Sequence, residues 1–226
     1  MEAKNRRHQA MVAVRKGMVV SAAKTVIARL GLESASIREI AKEAGYTPGA
    51  LYAYFASKND LLVTMLEDVL VSLAHSVANT QASKSQTDLL LVKGDAWMAH
   101  LLMRPNDLEL LMYFLSRAGQ SKLDAEMTHR IHSALRQTLE PLAQALLSSG
   151  LVVERLDAEM EALLAFVLGL LLTPNAARPQ LGGQTRQSIF SDYLKRLRRD
   201  FSGVDLESEA LTRPGKDSMQ VDLFEG

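Results

Sequence analysis

The chain has 226 residues, of which 47% are hydrophobic and 23% charged, a composition that excludes a chain disordered throughout. It contains no cysteine, which excludes disulfides, zinc–thiolate sites and thiol nucleophiles. The net charge is zero, but residues 1–60 carry ten Lys or Arg against five acids, a balance of +5, so the remainder has a balance of −5. This asymmetry indicates a basic, partner-facing module joined to an acidic body, although solvated surface charge is the alternative.

The first predicted helix spans about residues 12–30. Val19, Ala23, Ile27 and Leu30 recur at three- and four-residue spacing, which gives one apolar stripe. Gly31 follows directly, where a helix end favours a residue without Cβ.

Three further helices are predicted from their start signals. Ser36 and Glu39 have the spacing of a capping box, which predicts a helix over 36–44 that stops at Gly45. Thr47 and Pro48 provide an N-cap and a proline at the first helical position, and they predict a brief helix that continues to Phe55. A long helix then restarts at Ser57-Lys58 and ends near Ala78, before a polar loop over residues 79–86.

The remaining segments also show helical spacing, with breaks at proline, glycine or polar residues. We expect helices over about 87–103, 106–118, 122–148, 157–172 and 184–200, with a kink or split at Pro141. Beyond Ser202 the periodicity is lost, which predicts a flexible tail over 202–226. The longest apolar run, residues 162–172, is shorter than the ~20 residues that cross a bilayer. The sequence therefore predicts an all-α, cytoplasmic protein of about nine helices with no membrane partner.

The two short helices around Gly45-Tyr46-Thr47 fit a helix-turn-helix, with an ordinary pair of core helices as the alternative. The second helix begins with Pro48, Gly49 and Ala50, whose small size lets the backbone approach a phosphate or a base edge. The first amides of a helix also lie at its positive dipole end, which suits phosphate. Tyr52 and Tyr54 cannot both face inward, because residues two apart point about 200° apart on a helix.

The stretch from Ser36 to Leu62, with Gly45, Gly49, Leu-Tyr-x-Tyr-Phe and Ser-Lys in register, resembles the DNA-binding signature of the TetR family of dimeric bacterial transcription regulators. The resemblance covers Val19 to Leu62. It implies that Thr47 caps the recognition helix and contacts phosphate, that Tyr54 donates to the backbone, and that Lys58 clamps a second phosphate. The implied DNA-binding residues are Arg38, Thr47, Pro48, Gly49, Ala50, Tyr52, Tyr54 and Lys58.

The sequence departs from the family pattern at Pro48, where Lys is frequent, and at Ala53, where His is frequent. Both changes remove polar or cationic contacts, so base recognition would depend more on Arg38, Tyr52 and a basic N-terminal arm. That arm contains Lys4, Arg6 and Arg7, which either follow the minor groove or form a solvated tail.

The resemblance also implies the organisation of the chain: a DNA-binding domain over residues 1–62, a ligand-binding and dimerisation domain over 63–201, and the tail. One helix-turn-helix reads one half-site, so a palindromic operator requires a homodimer. A purely intramolecular core is the alternative for the candidate dimer residues, which are Leu163, Phe166, Leu170, Ile189, Tyr193 and Leu197. A small-molecule effector of unknown identity would bind among the middle helices, with candidate pocket residues Trp97, His100, Met103, Tyr113, Arg117, His129, Phe166 and Leu170.

Two other functions are compatible with an all-helical chain. Glu126 and His129 have the Glu-x-x-His spacing of carboxylate-bridged di-iron bundles, but such a site needs a second pair on another helix, and the sequence offers none. We therefore expect no metal, no cofactor, no catalytic residues and no enzymatic activity. The remaining alternative is a helical interaction protein whose helix-turn-helix is degenerate at Pro48 and Ala53.

Overall fold

A computed structural model of the chain describes residues 2–82, 88–116, 121, 123–173 and 184–201, and across these residues it contains nine α-helices and no strand. The all-α expectation is confirmed. The helices are α1 (Glu2–Leu30), α2 (Ile37–Ala44), α3 (Pro48–Tyr52), α4 (Lys58–Asn79), α5 (Leu89–Leu102), α6 (Pro105–Leu115), α7 (Ala125–Ser148), α8 (Val153–Leu172) and α9 (Arg186–Phe201).

The start signals of α2, α3 and α4 act as predicted. Ser36 Oγ accepts the Glu39 amide at 3.2 Å, and the Glu39 carboxylate accepts the Ser36 amide at 3.2 Å, which completes the capping box. Gly45 follows α2 with φ 73°, a left-handed conformation that glycine adopts without steric cost. The turn between α2 and α3 is therefore fixed by local sequence.

Helix α4 is the central helix, packed along α7 on one side and against α5 on another. It buries Leu61, Leu66, Leu70, Leu73 and Val77 to 0% exposure, and the exposed positions between them, such as Asp68 and Ser72, lie on its other face. An 18-residue window of this 22-residue helix has a mean hydropathy of 1.6, enough by length and composition to cross a membrane, but half of that window is buried inside the protein. A core helix of a bundle gives the same pattern.

The C-terminal end of α4 is held by a buried cation. Lys93 of α5 donates to the carbonyl oxygens of Val77, Ala78 and Thr80 at 2.8, 2.7 and 2.6 Å. The last carbonyls of a helix lack intrahelical partners, and a cation there also opposes the helix dipole. Arg186 does the same for α8, donating to the Thr173 carbonyl at 2.8 Å.

Helix α9 crosses α5 at close range. A Cβ on Gly94 would lie 2.1 Å from a methyl carbon of Leu194 and 3.3 Å from the Phe190 ring, so a larger residue would force these buried side chains to shift. Phe190 and Leu194 are fully buried at the crossing, and Trp97 lies beside Phe190 with ring centroids 6.4 Å apart.

Several predicted boundaries need correction. Helix α1 begins at residue 2 rather than 12, and α3 ends at Tyr52, followed by a turn instead of helix to Phe55. Helix α7 starts at residue 125 and runs through Pro141 without a split, and α8 starts at residue 153 rather than 157. Helix α6 spans 105–115, displaced toward the N-terminus from the predicted 106–118. The predicted tail and residues 83–86 of the predicted 79–86 loop lie outside the described residues, and residue 79 is the last of α4.

Candidate nucleic-acid interface

The exposed tip of α3 is built by one cap and two buried anchors. Thr47 Oγ1 accepts the Ala50 amide at 3.2 Å, which caps the first turn. Leu51 and Phe55 are 1% and 2% exposed, and they hold the helix against α1, α2 and α4 in the shared core. Thr47, Pro48 and Gly49 are exposed, and a Cβ on Gly49 would meet no atom within 4 Å. The tip therefore projects from the surface as a narrow, nearly side-chain-free end.

The two tyrosines behind the tip point to different surroundings. Tyr52 is 56% exposed, beside the tip. Tyr54 is half-buried, its ring packs edge-on against Tyr46 at 6.4 Å, and its hydroxyl accepts Arg15 Nη1 at 3.2 Å. The hydrogen bond observed at Tyr54 thus comes from a side chain of α1, and the donation to the backbone that the resemblance implied remains a prediction.

The two implied cations have different environments. Arg38, on the first turn of α2, is exposed. Lys58, at the start of α4, donates to the carbonyl oxygens of Leu32 and Glu33 at 3.1 and 3.4 Å. In this structure Lys58 therefore fastens the turn between α1 and α2, and its contact with phosphate remains a prediction.

An ionic junction joins the start of α4 to α7. Arg130 donates to Asp60 at 2.7 Å, to Thr64 at 2.9 Å and to both oxygens of Glu67, with Nε to Oε1 at 2.9 Å. The Asp60 carboxylate also accepts the amide of Ala56, in the turn that follows α3, at 2.9 Å. One guanidinium thus connects α7 to the start of α4 and, through Asp60, to the turn that follows α3.

The electrostatics of this junction favour the charged forms. Burial alone would raise the pKa of Asp60, but hydrogen bonds from Arg130 and the Ala56 amide outweigh it and hold that pKa below its usual value. The hydrogen bonds with Glu67 raise the pKa of Arg130 against the opposing effect of burial. Asp60 and Arg130 are therefore both charged near neutral pH.

The candidate pocket residues differ in their exposure. Trp97 is 1% exposed and donates from Nε1 to Thr138 Oγ1 at 3.2 Å, while Leu170 and His100 are also buried. Tyr113 and Phe166 are half-buried. The predictions for Met103 and His129 need correction, because Met103 is 79% exposed at the end of α5 and His129 is exposed on α7. Arg117 lies outside the described residues.

His100 is unusual among the buried groups that the structure describes. It is 4% exposed, and neither ring nitrogen has a hydrogen-bond partner. Burial, together with the nearby charge of Arg104, lowers the pKa of this imidazole, so it is neutral at pH 7. The Glu126–His129 pair lies on an exposed face, and the described residues contain no cluster of three or more possible metal ligands.

The candidate dimer residues divide into two sets. Leu163, Leu170 and Leu197 are 0%, 8% and 7% exposed and pack inside the subunit, so they cannot provide the outer face of an interface, which corrects that part of the prediction. Phe166, Ile189 and Tyr193 are partly exposed, and the rings of Phe166 and Tyr193 stack at 4.1 Å between centroids.

Sequence reasoning missed two residues that contact the segment just after α3 and the start of α4. Arg15 precedes the recognised motif, and Arg130 pairs with residues 63 to 70 positions away. No periodicity or cap signal connects such distant positions, so only the packing of α4 on α7 reveals the junction.

Comparison with known proteins agrees with this geometry. Residues 19–65 match the family described as "Bacterial regulatory proteins, tetR family". The HTH-type transcriptional regulator BetI of Vibrio atlanticus (strain LGP32) is 42% identical over 64 residues, which are 28% of this chain and 32% of that protein. The match therefore spans about a third of the length of this curated relative.

Solved structures extend the likeness to the whole fold. A transcriptional regulator from Rhodococcus sp. Rha1 superposes with a TM-score of 0.60 at 21% identity, over 84% of this chain and 99% of that one. BioQ, solved with its double-stranded DNA operator, superposes with a TM-score of 0.54 at 21% identity, over 83% of this chain and 98% of that one. At this level of identity, the similarity establishes the fold.

Proposed function

We propose that this chain, which belongs to the tetR family of bacterial regulatory proteins, is a ligand-responsive transcriptional repressor that binds a palindromic operator in the cytoplasm as a homodimer. The observation that carries the proposal is the capped, exposed tip of α3, with Pro48 and Gly49 outermost and Tyr52 beside them. Its bare backbone and positive dipole end suit a major groove lined by phosphates.

The proposed contacts fall into two classes. Thr47, Pro48, Gly49 and Ala50 allow the backbone to lie against the groove, and the exposed Tyr52 and Arg38 supply side chains for bases or phosphates. Tyr54 and Lys58 act mainly through their partners inside the protein, and any contact they make with DNA adds to that role.

A homodimer is proposed because one recognition helix contacts one half-site, and two half-sites about 34–36 Å apart require two copies. The outer faces of α8 and α9 are the proposed interface. The partly exposed, stacked pair Phe166 and Tyr193, with Ile189 one turn earlier, supports this location. Leu163, Leu170 and Leu197 would support that face from within the subunit.

An effector is proposed to bind beside His100 in the body. A neutral imidazole carries one donor and one acceptor, and leaving both unpaired in the interior costs free energy. A ligand that has an apolar body and a hydroxyl or acid group would remove that cost. Binding would favour a conformation of the body in which the recognition helices no longer match the half-site spacing. The Arg130 junction is suited to transmit that change to α3.

The test uses the open space at the tip of α3. Gly49 accepts a larger side chain without a clash inside the protein, so Gly49→Leu should fold normally and separate the tip from DNA. A duplex enriched from a random-sequence pool by the full chain is the probe. We expect palindromic enrichment by the wild type, at least a tenfold weaker binding by Gly49→Leu, and an unchanged melting temperature.

Ser72→Leu is the matched control, since it adds the same side chain at an exposed position of α4 in the body. It should bind like the wild type. Failure of the wild type to enrich any palindrome would favour the helical interaction protein with a degenerate helix-turn-helix. Equal binding by both variants and the wild type would remove the tip of α3 from the interface.

A further inference from the structure

The N-terminal part of α1, residues 2–18, is an extension whose described side chains, from residue 5 onward, contribute nothing to the buried core. None of the described side chains of residues 5–18 is buried, and the first buried residue of α1 is Val19. The family match also begins at residue 19. We call residues 2–18 the α1 extension; at 1.5 Å per residue it is about 25 Å long.

The α1 extension is attached beside the recognition helix. Arg15 donates to the Tyr54 hydroxyl at 3.2 Å, and the Lys16 ammonium lies 5.3 Å from the centre of the Phe55 ring. Tyr54 and Phe55 directly follow α3. The extension therefore starts from the edge of the surface that presents α3, and it forms one continuous helix with the part of α1 that packs in the core.

The charge of the α1 extension has one sign. Residues 2–16 contain five cations and one acid, Glu2, a balance of +4. The cations are Lys4, Arg6, Arg7, Arg15 and Lys16. A short helix of this kind is marginal by itself in water, so a binding partner that covers it would stabilise it further.

The side chains also share a face. Arg7, Met11 and Arg15 follow one another at four-residue intervals, and such positions lie on one side of a helix. Arg7 is therefore about 12 Å further along the axis than Arg15, which contacts the recognition domain. Met11 and Met18 are 55% and 52% exposed along the same side.

We propose that the α1 extension is a second DNA-contacting element, which lies along the phosphates that flank the half-site under α3. The inference rests on the proposed function, and it adds to it a wider footprint. Charge complementarity and continuity with the recognition surface favour duplex DNA over a second protein, since a protein partner would have to present an acidic face. The exposed methionine stems can lie against sugars while the guanidinium groups reach phosphates.

The size of the effect follows from counterion release. Each phosphate contact adds about 0.9 to the slope of log K against log salt concentration. When the salt rises from 50 to 200 mM, the wild type therefore loses about 3.5-fold more affinity than a variant that lacks one contact. Relative to a variant that lacks two contacts, the wild type loses about 12-fold more affinity. A contact confined to the flanks also disappears when the duplex is trimmed to the two half-sites.

The experiment measures this slope for the full chain on two duplexes enriched from a random pool, one with long flanks and one trimmed to the palindrome. Arg6→Gln/Arg7→Gln is the variant, and Lys24→Gln is the matched control, an exposed cation elsewhere on α1. We expect the variant to lower the slope by about 0.9 to 1.8 on the long duplex only, with Lys24→Gln unchanged.

A second variant tests the competing occupant. Met11→Gln/Met18→Gln should leave the mass of the free protein in sedimentation unchanged, because the proposal places no protein partner on this face. Palindrome binding with an unchanged slope for Arg6→Gln/Arg7→Gln, or a change in oligomeric state for the methionine variant, would overturn the inference and leave the proposed function standing. Failure of the wild type to bind any palindrome would instead refute the proposed function.

Discussion

The Arg130 junction is the interaction whose removal should most affect the connection between the two parts of the chain. Arg130→Gln takes away the donors to Asp60, Thr64 and Glu67 and leaves two carboxylates facing each other without their counter-charge. The Arg130, Asp60 and Glu67 side chains are only 26%, 18% and 28% exposed. The solvent exposure of the junction is thus between that of a surface ion pair and that of a buried ion pair.

The expected cost follows from that position. Exposed ion pairs contribute about 0–1 kcal/mol, whereas breaking a buried pair from one side costs about 3–5 kcal/mol. A quarter-exposed, bidentate pair should lie between them, at about 2–3 kcal/mol. For a chain of this size, each kcal/mol lowers the melting temperature by about 2–4 °C, so Arg130→Gln should melt about 4–12 °C lower.

The assay compares thermal unfolding of the wild type, Arg130→Gln and Lys195→Gln. Lys195 pairs with Asp192 at 2.9 Å, three residues earlier on the same helix, and their side chains are 56% and 48% exposed. Such helix pairs contribute about 0.2–0.5 kcal/mol, so this control should change the melting temperature by about 2 °C at most. Equal shifts for the two variants would refute the reasoning that partial burial strengthens the junction.

The pH dependence gives a second readout of the same junction. The pKa of Asp60 is lower in the folded protein than in the unfolded chain, so its stabilisation is complete above the unfolded value of about 3.9 and is lost as the pH falls through the folded value. Arg130→Gln should therefore lose less stability than the wild type below about pH 4. Parallel stability curves for the two proteins would contradict this assignment.

Three further predictions concern the body. Lys93→Met removes the donor to three terminal carbonyls of α4 and should cost about 3 kcal/mol in urea unfolding, since hydrogen bonds to charged groups contribute about 1.5–3 kcal/mol. Gly94→Ala forces a Cβ against Leu194 and should destabilise by about 1–3 kcal/mol, whereas Gly17→Ala, in open space on an exposed helix, should stabilise by about 0.5–1 kcal/mol. His100→Leu should be neutral or stabilising in the protein without effector, because it removes two unpaired polar atoms. It should also remove the loss of stability that a buried neutral histidine causes as the pH falls below about 6.5.

Each of these has a contrary outcome. A Lys93→Met protein as stable as the wild type would mean that water replaces the ammonium at the end of α4. Equal effects of Gly94→Ala and Gly17→Ala would contradict the close crossing of α5 and α9. Strong destabilisation by His100→Leu would show that the imidazole has a partner inside the protein, and it would weaken the case for an effector group at that position.

Local chemistry was sufficient to determine the recognition module from the sequence. The capping box at Ser36, the left-handed Gly45 and the Thr47-Pro48 start each act within four residues, so the sequence alone carries them. The same holds for the exposed tip of α3, because Gly49 and Ala50 have little to bury. The helix boundaries were predicted less accurately. Helix α1 begins ten residues before its predicted start, because the basic stretch there has no apolar periodicity that would indicate a helix.

The tertiary structure decided which long-range partners meet. Met103 and His129 were chosen for their chemistry, yet they face solvent, because position on a helix face relative to neighbouring helices determines exposure. Leu163 and Leu197 were predicted at a dimer interface, yet the subunit's own core covers them. Arg15 and Arg130 acquired their roles only when packing brought α1 to Tyr54 and α7 to Asp60. Caps and turns depend on neighbours in the chain, whereas burial and ion pairing depend on neighbours in space, and only the folded arrangement of the helices specifies those.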